Sequence, residues 1–319
     1  MYSKIIGTGS YLPDRILSNT DLEKIVDTSD QWIVSRTGVR QRHIASDDQL
    51  TSDLAYEASL LAIESAGIEP NEIDMIIVGT CTPDLIFPNV GTILQEKLGV
   101  RGIPSFSLEA ACTGFIYALT TADQFIRTGH KKRILVVGAE VISRILDWND
   151  RETCVLFGDG AGAVIIEASE KPGIIYSNLA SDGSYRDLLY ASGGMPSKKG
   201  VFEDATIHMK GKEVFRVAVK TLGSMVDEVL KNNNLNKSDI DWLVPHQANL
   251  RIIKAAAEKL DMPMEKVVVT VSDHANTSAA TIPTALDTAI KDGRIKKGDL
   301  LLLEAFGAGF TWGASLVRY

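Results

Sequence analysis

The two halves of this 319-residue chain resemble each other, and this constrains its fold more than any other feature. NEIDMIIVGT (71–80) parallels SDIDWLVPHQ (238–247), and FIRTGHKKRILVVGAE (125–140) parallels AIKDGRIKKGDLLLLEAFG (289–307). Gly129 and Gly293 are 293 − 129 = 164 residues apart, and Cys112 and Asn276 are 276 − 112 = 164 apart. Both lie 17 residues before their glycine (129 − 112 and 293 − 276). A repeated sequence unit folds as a repeated structural unit. Cys112 and Asn276 are therefore expected at the starts of equivalent helices, brought together at the centre by a pseudo-twofold axis. Chance likeness between two strand-helix segments is the alternative.

The repeat unit reads as α/β. Short apolar runs bounded by turn residues predict strands over 75–80, 133–139, 163–168, 267–271 and 300–306. Helical periodicity covers 53–66, 113–128, 213–231, 249–260 and 279–291, and strand-helix alternation argues for a layered α/β architecture. With 45% hydrophobic residues there is ample apolar surface for a large core, and the length suggests two fused halves, which we expect at 1–172 and 173–319. No apolar run approaches the roughly 20 residues needed to cross a bilayer, and no secretory leader is visible at the start. The net charge of −8, without a basic stripe, argues against a nucleic-acid partner. Cys81, Cys112 and Cys154 are too widely spaced for a disulfide framework or metal pair, so a reducing cytoplasm is expected.

Three residues stand where chemistry is expected. Cys112, in AACTGF, precedes a helical run, and a thiol at a helix N-terminus is expected to have a lowered pKa. His246, in WLVPHQANLRII, follows an apolar strand, at the edge where α/β sheets place their sites. Asn276, in SDHANTSAATIP, enters a helix from a polar loop. Taken singly, each fits a structural role as well: a buried cysteine, a satisfied loop histidine, a helix N-cap. Together they suit thioester chemistry, with a sulfur nucleophile and two donors for an oxygen that becomes negative. No metal-ligand cluster or pyridoxal-type lysine competes. The glycine-rich FGDGAGAV (157–164) and FGAGFTWGAS (306–315) lack GxxxxGK[ST] and lead into strands, so they are expected to be strand-to-strand turns, not phosphate loops.

ACTGF, VPHQANLRII, HANTSAA and FGAGFTWGASLVRY, with the opening GTGSYLPDRILSN and QWIVSRTGVRQRHIA, resemble the β-ketoacyl-acyl carrier protein synthase III family over the whole chain. The resemblance implies a thiolase-like αβαβα fold of two pseudo-symmetric halves, a homodimer, and a condensing reaction without a bound cofactor. In it Cys112 takes an acyl group from acetyl-CoA or another short acyl-CoA. His246 and Asn276 promote decarboxylation of malonyl-acyl carrier protein, and the carbanion attacks acyl-Cys112.

Further roles come from the same resemblance. Backbone N–H groups of Cys112 and Ala308 form the oxyanion hole, Ala308 standing where many relatives have glycine. Trp32 and Arg151 sandwich the adenine, Arg36 and Thr37 meet the nucleotide, and Ala248 and Asn249 line the pantetheine tunnel. Phe87, reaching from the partner subunit, closes the acyl pocket with Leu189 and Phe306, so a short starter is expected. Gln247, Ala248, Asn249, Leu250, Arg251, Arg216, Lys254 and Lys259 are candidates for docking the acidic carrier protein, with Glu258 among them. A thiolase would need a second cysteine in the C-terminal half, and none follows Cys154. A papain-type hydrolase would need a C-G-[SA]-C-[WY] context, which Cys112 lacks. A thiolase-fold acyltransferase of another pathway, such as a polyketide or quinolone starter synthase, shares most of these motifs.

Overall fold

A computed structural model describes residues 1–193 and 205–319. The first half runs β1 (Tyr2–Tyr11), β2 (Arg15–Ser18), α1 (Asn19–Leu22), α2 (Asp30–Thr37), β3 (Gln41–Ile44), α3 (Thr51–Ala66), β4 (Met75–Gly79), α4 (Val90–Lys97), β5 (Ser105–Leu108), α5 (Gly114–Arg127), β6 (Arg133–Val141), α6 (Arg151–Cys154) and β7 (Asp159–Ser169). The second runs β8 (Ile174–Ser181), β9 (Leu189–Ala191), β10 (Ile207–Met209), α7 (Gly211–Asn233), β11 (Trp242–Pro245), α8 (Leu250–Lys259), α9 (Val271–His274), α10 (Thr281–Lys291), β12 (Leu300–Gly307) and β13 (Thr311–Arg318).

Two sheets carry the duplication. The first has the order β1-β7-β6-β4-β5 and the second β11-β12-β13-β8. Read from the other edge, the second becomes β8-β13-β12-β11, matching β1-β7-β6-β4. In both, the parallel pair (β4·β6, β11·β12) sits beside an antiparallel one (β6·β7, β12·β13). The central strands β4, β6 and β12 are almost wholly buried runs of Ile, Leu and Val, as expected of strands covered on both faces.

The counterpart of β5 is reduced. The run 267–271 was expected to be a strand, but only Val267 pairs, in a single parallel bridge to Leu243. The N–H groups of Thr270 and Val271 donate to the Gln247 side chain at 2.8 and 3.1 Å instead of to a strand. The chain then turns into α9.

Three cores define five layers. Leu54, Ala58 and Ala62 of α3 pack on the outer face of the first sheet. Phe115 and Leu119 of α5, with Ile282 and Leu286 of α10, fill the space between the sheets. Leu222 and Val226 of α7, with Ile253 and Ala257 of α8, cover the outer face of the second. This is the αβαβα arrangement of the thiolase-like fold. The helices at its centre, α5 and α10, are the two that Cys112 and Asn276 precede.

Candidate active site

Cys112 sits in a short 3-10 turn, Ala111–Thr113, that leads into α5. The residue before it, Ala111, has φ 45°, and the residue before Asn276, Ala275, has φ 58°. Non-glycine residues enter this left-handed region at a cost of about 1–3 kcal/mol and cluster at functional sites. An alanine with positive φ thus precedes both residues, at the same offset as their repeat. Gly129 and Gly293, which follow their helices, have φ 77° and 80°.

The turn before Cys112 is held from the second half. A Cβ on Gly307 would stand 2.8 Å from the Cys112 nitrogen, so only glycine lets β12 approach this closely. Thr311 Oγ1 lies 3.0 Å from the Ala110 carbonyl and 3.1 Å from the Ala308 carbonyl, joining the Cys112 loop to the β12–β13 turn. That turn is strand-to-strand, as expected. The other glycine-rich segment is not: 157–164 follows α6, and it clamps Asn276. Asn276 N–H donates to the Leu156 carbonyl at 2.9 Å, and Gly158 N–H donates to the Asn276 carbonyl at 3.1 Å.

Asn276 Oδ1 accepts from Ser278 N–H at 2.9 Å. The capping role is therefore real, and it turns the amide so that Nδ2 is its free donor end. His246 Nδ1 lies 2.6 Å from Thr281 Oγ1, whose hydroxyl is also 3.0 Å from the Ser278 carbonyl. Burial pushes the imidazole down to about 3, so it is neutral at physiological pH.

Burial pushes the Cys112 thiol up to about 12, against a hydrogen bond from Ser278, with Glu140 and Glu109 adding to the rise. The expectation of a thiol lowered by its helix N-terminus is thus overturned. The 3-10 turn sets Cys112 ahead of α5, and desolvation outweighs the partial charge of the helix end. The thiol is therefore protonated at physiological pH.

Two cavities meet at Cys112. The larger, about 530 Å³, is lined by Cys112, His246, Asn276 and Phe306 and reaches Trp32, Arg36, Thr37, Arg151, Ala248 and Asn249. Arg36, Arg151, Lys212 and Arg251 stand around it, four cations against Glu152 and the buried Glu304, concentrated on a chain of net charge −8. The smaller, about 360 Å³, is lined by Cys81, Cys112, Ile142, Phe157, Leu189, Ile207 and Ala308. Leu189 borders both cavities, but Phe306 lines only the larger one, where it packs edge-on against Phe310. Phe87 lines neither cavity of its own chain. It is 83% exposed beside Ile86 at 75% and Leu85 at 52%, an apolar tip that projects outward.

Other expected residues are placed as follows. The Arg151 guanidinium lies 4.9 Å from the centre of the Trp32 ring, in direct cation–π contact, so a base entering between them must part the pair. The Asn249 amide donates to the Arg36 carbonyl at 3.1 Å and caps α8, tying α2 to the cavity wall. Arg216, Arg251 and Lys254 are exposed on α7 and α8, Arg251 over the Phe215 ring at 5.0 Å. Leu250 is half-buried against Gly38. Lys259 is paired with Asp227 at 2.6 Å, which neutralises its contribution to a basic patch. Gln247 is fully buried, with its amide bonded to the Pro245 and Val268 carbonyls, so it cannot meet a docking partner and instead staples the loop.

Sequence reasoning missed Lys212 at the cavity, Thr281 on the histidine, Ser278 between the two half-sites, and Cys81 and Ile142 in the smaller cavity. The hydroxyl-rich NTSAAT run after His274 was the available signal for Ser278 and Thr281.

Comparison with known proteins shows what the chain is similar to. The profile described as 3-oxoacyl-[acyl-carrier-protein (ACP)] synthase III matches residues 106–183, and that of its C-terminal part matches 230–319. Two curated proteins named beta-ketoacyl-[acyl-carrier-protein] synthase III match along 100% of this chain and 99% of their own length. One, from Alkalilimnicola ehrlichii, is 60% identical; the other, from Xanthomonas campestris, is 58% identical. The crystal structure of 3-oxoacyl-[acyl-carrier-protein] synthase III from Aquifex aeolicus superposes with a TM-score of 0.94 at 47% identity, covering 99% of this chain and 100% of that one.

Proposed function

Because the chain belongs to the 3-oxoacyl-[acyl-carrier-protein] synthase III family, we propose that it is the condensing acyltransferase that initiates fatty-acid synthesis, joining a short acyl-CoA to malonyl-acyl carrier protein. One observation carries the reading: Cys112, His246 and Asn276 border a single cavity whose outer part is ringed by basic side chains. Full-length identity to proteins named for this reaction favours it over a starter synthase of another pathway. We take 1–172 and 173–319 as the two halves of the enzyme.

Acyl-CoA enters with its phosphates among Arg36, Arg151, Lys212 and Arg251 and its adenine between Trp32 and Arg151. Thr37, Ala248 and Asn249 line the path inward. Cys112 sulfur attacks the acyl carbonyl while its proton passes to the departing CoA sulfur. The N–H groups of Cys112 and Ala308 receive the developing oxyanion. With its thiol near 12, Cys112 is activated only as substrate excludes water and accepts the proton.

Malonyl-acyl carrier protein follows. Its C–C bond to the carboxylate breaks, CO2 leaves, and the electron pair becomes an enolate held by His246 and Asn276. For His246 to donate from Nε2, its Nδ1 accepts the Thr281 hydroxyl hydrogen across the 2.6 Å contact, in place of the 3.0 Å bond from that hydroxyl to the Ser278 carbonyl. The carbanion attacks the acyl-Cys112 carbonyl, the C–S bond breaks, and the Cys112 thiolate so released takes up a proton from solvent. Acyl-CoA serves as substrate, and no resident cofactor enters these steps.

The exposed Leu85-Ile86-Phe87 tip supports a homodimer in which Phe87 closes the partner's smaller cavity, with Leu189. Arg216, Arg251 and Lys254 form the docking patch for the acidic carrier. Free thiols and thioester substrates fit a reducing cytoplasm. Intact-protein mass spectrometry after acetyl-CoA tests the central step: an acetyl adduct on Cys112 is expected, and its absence overturns the reading.

A further inference from the structure

Glu304 on β12 is fully buried, and neither of its carboxyl oxygens has a hydrogen-bond partner among the described residues. It lines the same cavity as Cys112, His246 and Asn276. Its position is fixed by the sheet: Pro245 is its register partner on β11, and its main-chain carbonyl accepts from His246 N–H at 2.8 Å. Leu302 and Phe306, two residues to either side, belong to the core against α7 and α8, so the Glu304 side chain leaves the same face.

A buried carboxylate without a cation or a donor is a costly state, and such a group keeps its proton instead. It is then an O–H donor. The neighbouring polar groups are anchored, His246 Nδ1 to Thr281 and Asn276 Oδ1 to Ser278. Of the described carboxyl groups that line this cavity, Glu304 is the buried one, and both its oxygens are left for an occupant to meet.

We propose that Glu304 is a further catalytic residue, a neutral acid that donates a hydrogen bond to the carboxylate of the malonyl thioester, an assignment that rests on the function proposed above. That carboxylate must surrender its charge to the α-carbon as CO2 leaves. A cation there would hold the charge in the ground state and oppose the step. The cations of this cavity are on exposed residues, while Glu304 is fully buried. One neutral donor orients the carboxylate without fixing its charge, and Glu304 keeps its proton throughout. Ionised, it would set like charge against the substrate and exclude it.

The surroundings leave burial in control. On the β11 side the titratable neighbour is His246, and on the turn before α5 it is Cys112. Ala314 stands opposite on β13. Toward this face α7 and α8 bury Ala218, Leu222, Ile253 and Ala256, and they carry Lys212, Arg216, Arg251 and Lys254 exposed. Helices α5 and α10 pack on the other side of the sheet. Burial alone lifts the Glu304 carboxyl to about 8, which adds to the geometric argument.

The test measures the two half-reactions of the full-length protein separately from pH 6 to 9.5: acetyl-Cys112 formation by intact mass, and CO2 release from malonyl-acyl carrier protein. In the wild type, CO2 release falls above about pH 8, while acetyl-Cys112 formation does not follow that curve. Glu304→Gln keeps a donor that cannot ionise; it lowers CO2 release several-fold at pH 7, removes the fall, and overtakes the wild type by about pH 9. Glu304→Leu loses CO2 release by about 10²-fold with acetyl-Cys112 forming normally. A wild type without the descending limb, a Glu304→Gln variant that retains it, or a Glu304→Leu variant that decarboxylates normally overturns the proposal. If Glu304→Gln does not take up acetyl, the wild-type profile and Glu304→Leu decide. A wild type that never forms acetyl-Cys112 refutes the proposed function instead.

Discussion

Replacing Glu304 with glutamine should change how stability depends on pH, independently of turnover. Burial lifts this carboxyl from the usual 4.5 to about 8. A folded-state value above the unfolded one means that the native state holds the proton more tightly. The stability this confers is complete below about 4.5 and is lost as pH rises toward 8. At about 1.4 kcal/mol per tenfold difference in acidity, the loss amounts to at most about 5 kcal/mol. Other buried groups titrate too: Glu140 and Asp159 are raised by burial, and His246 and His274 are lowered by it. They are common to both proteins and cancel in the difference. Thermal or urea unfolding of wild type and Glu304→Gln at pH 5, 7 and 9, at one protein concentration, gives that difference directly. The variant should gain on the wild type by several kcal/mol between pH 5 and 9. Parallel pH profiles for the two proteins would mean that Glu304 is ionised or compensated, and the reasoning from its bare carboxyl oxygens would fail.

Cys112→Ser should abolish the acyl-enzyme, because no base stands ready to activate a hydroxyl there; intact mass after acetyl-CoA reads this out. With its thiol near 12, Cys112 should be alkylated by iodoacetamide at a rate that still climbs between pH 7 and 10, and a plateau below pH 9 would contradict its burial. His246→Ala and Asn276→Ala should form acetyl-Cys112 yet lose CO2 release by about 10²-fold or more, whereas equal loss of both steps would make His246 the base for the thiol. Phe87→Thr should raise kcat/KM for butyryl- and hexanoyl-CoA relative to acetyl-CoA, by about 1 kcal/mol or more per accommodated methylene, and a uniform loss with a weaker dimer would leave only a packing role.

The layers, and the meeting of Cys112, His246 and Asn276 at one cavity, were legible because both depend on short-range pattern. Apolar runs such as RILVVGA and LLLLEAF form the central strands β6 and β12, and one repeat offset placed Cys112 and Asn276 at equivalent helices. What pattern cannot carry is who satisfies whom across the fold. VVVTV has the composition of a strand, but two of its N–H groups are claimed by Gln247, more than 20 residues earlier in the chain. Gln247 looked like a surface residue for the same reason: three of its four backbone partners, at Val268, Thr270 and Val271, lie far along the chain. The acidity of Cys112 was misjudged because helix position is local, whereas desolvation depends on everything packed around it.

The duplication also explains why two unlike side chains serve one site. Each half presents a residue after a left-handed alanine, at the entrance to a helix buried between the sheets. In the first half the residue is a cysteine, and the approach of Gly307 leaves its backbone N–H beside the β12–β13 turn. In the second it is an asparagine whose own cap fixes the amide. The symmetric scaffold supplies equal positions, and in the proposed reaction the asymmetric residues divide the work into a covalent holder and an enolate holder. Ser278, whose N–H donates to Asn276 and whose hydroxyl acts to lower the pKa of the Cys112 thiol, links the two. A change there should therefore disturb both half-reactions at once, unlike any change to His246, Asn276 or Glu304 alone.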